Sequence, residues 1–107
     1  MGVKRMSITR IFRVRIENDF RQEFEDKFSS EALYKIHQAT GLVSASIYKP
    51  SKWSPNEYAA ISQWENEDSL KAFFGEQWGQ AAIPTGAEKY VVACWLDHFE
   101  SWDYKAI

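Results

Sequence analysis

The sequence predicts an α+β fold in the order β-α-β-β-α-β, with four antiparallel strands in one sheet and the helices on one face of it. Three observations carry this expectation. Glu57 to Phe74, EYAAISQWENEDSLKAFF, alternates like a strand and then changes to a helical stripe, with Trp64 at the change. Phe20, Phe24, Phe28, Ala32 and Ile36 recur every four residues, the pattern of a long amphipathic helix over 19–40. SITRIFRVRIE at residues 7–17 and EKYVVACWLDHF at residues 88–99 are rich in the β-branched and aromatic residues that strands favour.

Taken in order, residues 1–6 read as a loose arm. In the first strand Phe12, Val14 and Ile16 share a face, with Arg10 near its start, and Ile11, Arg13 and Arg15 share the other. Asp19 with Gln22 resembles a capping box for the first helix. Arg21, Glu25, Asp26 and Lys35 form its solvated side, and Gly41 is the expected residue just past its end. Leu42 to Lys49 is the second strand, and Pro50 to Asn56 is a turn-forming connector. In the third strand Tyr58, Ala60, Ser62 and Trp64 face one way, and Glu57, Ile61 and Glu65 face the other. Asn66 can cap the second helix, Glu67 and Asp68 suit its positive end, and Leu70, Phe73 and Phe74 give it a buried stripe. Gly75 is its stop. QWGQAAIP reads as a broken helical segment, Thr85 and Gly86 as a turn, and the tail ESWDYKAI as a piece that packs or frays.

Right-handed crossovers place the strands in the order 4-1-3-2, the ferredoxin-like split βαβ arrangement. Ile11, Arg13, Arg15, Ile61, Val91, Ala93, Trp95 and Phe99 then occupy the helix-free face. That set is too apolar for bare solvent, and Glu57, Glu65 and Asp97 can pair with the arginines. A second copy is the natural cover, so two sheets packed face to face, a closed homodimer, are expected.

At 107 residues the chain is read as one domain. Five Trp, five Tyr and seven Phe are more than a core of this size easily hides, which suggests a ligand pocket, an interface or both. The net charge of −2 argues against nucleic acid, although Lys4, Arg5, Arg10, Arg13 and Arg15 all precede the first acidic residue. The single cysteine, Cys94, rules out an internal disulfide and fits a reducing compartment. No apolar run approaches the roughly 18 residues of a membrane span, so the expectation is a cytoplasmic protein without a membrane partner.

If no strand bulges, the helix-facing side of the sheet holds Arg10, Tyr58, Ser62, Trp64, Tyr90, Cys94 and His98. Buried polar groups need partners, so this set suggests a cavity with converging polar groups. Arg10 could hold an anionic oxygen or form an ion pair at the sheet edge. His98 could act as a base or be a satisfied strand-end histidine. Cys94 has no activating neighbour and His37 reads as surface. Two distant histidines and one cysteine match no metal-ligand spacing, and no phosphate loop or nucleophile elbow is present.

ITRIFRV, GLVSASIYKP and above all EYAAISQWENEDSLKAFF resemble the antibiotic biosynthesis monooxygenase domain of the dimeric α/β barrel superfamily. The likeness covers about residues 7–99. It implies a dimeric barrel and, among other activities, cofactor-independent oxygenation of phenols and quinols, or haem degradation. By resemblance Trp64 matches the pocket tryptophan. Arg10 stands where haem-degrading members carry Asn, and Ala81, Ala82 or Ile83 stands where they carry the haem-ligating His. The leading expectation is a monooxygenase without metal, flavin or other cofactor, acting on a small aromatic, phenolic or quinol-type ligand. Trp64, Arg10 and His98 would be catalytic, with Tyr58, Ser62, Trp78 and Tyr90 binding substrate. The alternative is a non-catalytic ligand-binding or structural barrel.

Overall fold

The computed structural model describes residues 7–28, 33–81, 83 and 86–101. Its strands are β1 (Ile8–Ile16), β2 (Leu42–Tyr48), β3 (Glu57–Trp64) and β4 (Val91–Glu100). Its helices are α1 (Arg21–Lys27), α2 (Leu33–Ile36) and α3 (Glu67–Phe74). The sheet runs β2-β3-β1-β4 and every pairing is antiparallel, the order the crossover rules require. The expected arm at residues 1–6, Ala32, Ala82, Pro84, Thr85 and the tail from Trp102 lie outside the described residues. Among the described residues no helix is long and apolar enough to cross a membrane.

The register sets the site. Arg10 stands between Ser62 on β3 and His98 on β4, and Val14 between Tyr58 and Cys94. Alternation therefore aims Arg10, Phe12, Val14 and Ile16 at the helices, and Phe12, Val14 and Ile16 pack there with Phe24, Phe28, Tyr58, Ala87 and Tyr90. On the opposite face Glu57 pairs with Arg13 at 3.6 Å and Arg15 at 3.9 Å, and both guanidinium groups approach the Trp95 ring.

Several expectations need correction. Asp19 does not cap α1. A 3-10 turn at Asn18–Phe20 leads into the helix, with no side-chain cap at either start. Phe20 stacks on Tyr90 at 4.9 Å instead, and Gln22 donates to Asp26. Of the helix expected over 19–40, α1 and α2 are described and residues 29–32 between them lie outside the described residues; the helix ends at Ile36 rather than at residue 40. Glu88–Tyr90 is a 3-10 turn rather than strand. The register of β1 on β4 shifts between Arg15 and Ile16, which brings Val91 opposite Ile16. The bulge turns Val91 to the core, so it does not belong to the helix-free face. Among its described residues, QWGQAAIP is not helical beyond a 3-10 turn at Gly75–Gln77.

The β3–α3 junction forms as the sequence requires. The Asn66 side chain accepts from the Ser69 N–H at 2.8 Å, and Gly75 closes the helix at φ +79°. Gly41 adopts φ +86° in the turn before β2 rather than directly after a helix, and its carbonyl accepts the Glu65 N–H at 2.8 Å. A Cβ there would lie 2.2 Å from Ser69 Oγ and 2.5 Å from Ser69 Cβ. This glycine lets the chain entering β2 touch the first turn of α3. Gly41→Ala combines left-handed strain with a clash and is expected to cost about 2–3 kcal/mol, read as a lower denaturant midpoint at unchanged m.

Candidate active site

Arg10 is the centre of the site. It is 3% exposed, although guanidinium groups are rarely buried without a partner. Its Nη1 donates to the Trp78 carbonyl at 2.6 Å and lies 2.9 Å from His98 Nε2. Its Nη2 donates to the Gln80 carbonyl at 3.3 Å, and its carbon centre sits 3.7 Å from the centroid of the Phe74 ring. Every one of these partners is neutral. Among the described residues no carboxylate lies within ion-pair distance of Arg10. Burial lowers its pKa to about 10, so the group remains a cation at neutral pH.

His98 follows from this geometry. A guanidinium has no acceptor, so Nε2 must accept and the ring proton sits on Nδ1. Burial lowers the His98 pKa first and the Arg10 charge lowers it further, while Asp97 pulls the other way. Trp78 meets the imidazole edge-on at 5.2 Å, and Lys71 Nζ lies 5.0 Å from the Trp78 ring.

Trp64 backs the site. It is fully buried, its Nε1 donates to Ser62 Oγ at 3.0 Å, and its ring meets Phe73 at 5.5 Å and Phe74 at 5.8 Å. The indole therefore supports the Phe74 ring on which Arg10 rests. The fold thus gathers five of the seven residues singled out in the sequence: Arg10, Ser62, Trp64, Trp78 and His98.

Tyr58 and Tyr90 lie elsewhere. Tyr58 pairs with Val14 while Trp64 pairs with Ile8, six strand residues or about 20 Å away. The Tyr58 hydroxyl donates to Glu25 at 2.6 Å, and the Tyr90 hydroxyl donates to Glu23. Burial and then the Glu25 contact raise the Tyr58 pKa, and the same hydrogen bond is the main cause that lowers Glu25. Tyr58, Phe28 and Ile47 wall a cavity of about 180 Å³, rimmed by Gln22, Glu25 and Lys49. The sequence places Glu25 on ordinary solvated surface. The i,i+4 spacing of Arg21 and Glu25 was the available signal that this side of α1 is organised. Phe74, read only as helix core, is the other residue missed at the site.

A family model described as antibiotic biosynthesis monooxygenase matches residues 7–84. No curated protein matches the sequence. Among solved structures, SnoaB, a cofactor-independent oxygenase from Streptomyces nogalater, is 18% identical with a TM-score of 0.68, over 92% of this chain and 95% of that one. A heme-degrading protein from Mycobacterium tuberculosis is 18% identical with a TM-score of 0.65, over 96% and 100%. Protein SO0527 from Shewanella oneidensis is 7% identical with a TM-score of 0.75, over 94% and 95%. These likenesses establish the fold.

Among the described residues, this site presents no axial ligand that is clearly available to haem. Ala81 and Ile83 offer no axial ligand, and the imidazole present, His98, turns its Nε2 to Arg10.

Proposed function

Because the chain belongs to the antibiotic biosynthesis monooxygenase family, we propose that it is a monooxygenase acting without metal or flavin on a small phenolic or quinol-type substrate at Arg10. The buried Arg10 cation, whose partners among the described residues are all neutral, is the observation that supports this most. An electron-rich phenolate can itself reduce dioxygen, so the protein need only favour the anion and keep water away. With hydroquinone the balance closes: one ring C–H becomes C–OH, both hydroxyls become carbonyls, one oxygen atom is retained and the other leaves as water. Arg10 holds the anion, His98 handles the proton, and Trp78 with the Trp64-backed Phe74 forms the aromatic wall. Tyr58 and Tyr90 would meet only a substrate that extends along the sheet.

The test is an oxygen electrode with hydroquinone and no added cofactor. The expected result is consumption of about one dioxygen per quinol, with hydroxyquinone as product. No enzyme-dependent uptake across phenolic substrates overturns the reading in favour of a ligand-binding or structural barrel. That second reading draws on Arg10 already being satisfied by backbone carbonyls.

The assembly belongs to the same proposal. Ile11, Ile61, Ala93, Trp95 and Phe99 share the helix-free face, and Phe99 is 55% exposed. Two copies of the 12.5 kDa chain packed through these faces bury them. Trp95→Glu is expected to raise the dimer dissociation constant by at least about 100-fold in analytical ultracentrifugation. A wild-type protein that sediments as a monomer at micromolar concentration removes the dimer.

A further inference from the structure

We infer that the cavity beside Tyr58 is a second ligand site, which takes a small primary amine carrying one apolar ring, its ammonium replacing Lys49 on the Glu25 carboxylate. This goes beyond the monooxygenase reading and does not rest on it. Tyr58 pairs with Val14, four strand residues or about 13 Å along β1 from Arg10.

The cavity supplies the apolar half of the site. It lies between α1 and the end of β2, an edge strand, and Phe28, Ile47 and Tyr58 wall it. Phe28 and Tyr58 are buried, and their rings meet edge-on with centroids 6.4 Å apart, so the core fixes these two walls. The volume is about 180 Å³. An apolar cavity of about 150 Å³ is enough for a benzene ring, so one ring fits here and two do not.

The mouth supplies the charge. The Tyr58 hydroxyl donates to Glu25 Oε2 at 2.6 Å, and Arg21 Nη2 approaches the same oxygen at 3.9 Å. That oxygen is committed to the protein and orients the carboxylate. The Tyr58 hydrogen bond is also the main cause that lowers the Glu25 pKa, so the group is an anion at neutral pH. The other oxygen, Oε1, faces Lys49 Nζ at 3.5 Å. This second contact is loose. The Lys49 side chain is 75% exposed, against 23% for Glu25, and a long solvated side chain loses rotamer freedom by staying in such a pair. An anion fixed by a buried ring therefore stands beside a cation that leaves readily.

The exchange follows. The ligand ammonium brings three N–H donors to the mouth while its ring enters the cavity, and Lys49 returns to water. One ion pair replaces another, and the surplus is the burial of the ring. A neutral ring gains the burial without the ion pair. An anion meets Glu25 and Asp26 at the rim, where Lys49 is already matched by Glu25.

The probe is benzylamine, a cation at neutral pH, with benzyl alcohol and benzoate as its neutral and anionic counterparts. Each is titrated into the nitrogen-15-labelled full chain and followed by amide NMR shifts. Benzylamine should saturate with a dissociation constant of about 0.1–1 mM and move residues 22–28 and 47–58 rather than Arg10, Trp64 and His98. Benzyl alcohol and benzoate should each bind at least about 10-fold more weakly. Glu25→Gln keeps an acceptor for the Tyr58 hydroxyl and should cost at least about 10-fold in benzylamine affinity. Lys49→Ala removes the competing ammonium and should tighten binding by about two- to fivefold, whereas a lysine that merely shaped the pocket would weaken it when removed. Lys49 is exposed, and the comparison of the three probes uses the wild-type protein, so neither readout depends on Glu25→Gln folding. No saturation by about 10 mM benzylamine, equal or tighter binding of either counterpart, unchanged affinity in Glu25→Gln, or weaker binding in Lys49→Ala each overturns the inference. Shifts confined to Arg10, Trp64 and His98 overturn it as well and leave the monooxygenase reading standing. Amine binding at Glu25 without any oxygen chemistry removes that reading and keeps this site.

Discussion

On the proposed reading, Arg10→Met is expected to lower the oxygenation rate by about 100-fold or more, because it removes the charge that would favour a reacting phenolate at this buried position. The effect is expected to be larger than for a surface cation because the group is buried. Arg10→Lys does not rescue the rate. One ammonium cannot span the Trp78 and Gln80 carbonyls and His98 Nε2 while lying flat on the Phe74 ring. Steady-state kinetics on variants whose folding is verified by circular dichroism checks both statements. A rate within about threefold of wild type in Arg10→Met removes Arg10 from the chemistry.

The same substitution has a signature in acid. His98 binds its proton more weakly in the fold than in the unfolded chain, owing to burial and then to Arg10. Between its depressed folded pKa and the ordinary histidine value of about 6.5, the unfolded state binds more protons. The stability it confers is thus fully present above that ordinary value and is lost as pH falls through the window below it. Arg10→Met deletes the Coulombic cause and leaves the burial cause. Its loss of thermal stability on acidification below about pH 6.5 should be smaller than that of the wild type. An equal or larger loss would show that the two side chains do not interact as their 2.9 Å separation requires.

Alternation made half of this site readable in advance. Period two assigns Arg10, Ser62, Trp64 and His98 to one face, and the right-handed crossover rule places β1 between β3 and β4, so Arg10 is expected on a face flanked by those two strands. The cap at Asn66 and the stop at Gly75 were equally legible, since each depends on one residue's own geometry. What alternation cannot supply is distance along the strand. Tyr58 and Trp64 share a face and still serve opposite ends of the sheet. Nor does a residue pattern show backbone acceptors, and the Trp78 and Gln80 carbonyls are what hold Arg10. The bulge after Arg15 was hidden for a related reason. Glu88–Tyr90 has strand-like composition, and it becomes a 3-10 turn where Tyr90 meets Phe20 and Glu23, a contact made across the fold.

Trp64 gives the second large effect, and it separates packing from chemistry. Trp64→Ala opens a void against Phe73 and Phe74 and leaves Ser62 without its indole partner, so it is expected to cost about 3–5 kcal/mol in denaturant unfolding. That result alone would suit any buried tryptophan. Trp64→Phe is the informative change, since it keeps most of the buried ring and removes only the N–H donor and part of the volume. It should restore stability to within about 2 kcal/mol of wild type. If the indole works through Phe74, by keeping that ring flat beneath the guanidinium, the remaining slack tilts Arg10 and slows oxygenation by about 10-fold while phenolate affinity changes little. Loss of rate and affinity in proportion to the lost stability would instead make residue 64 a core residue. The wall of the site would then be Trp78 and Phe74 alone.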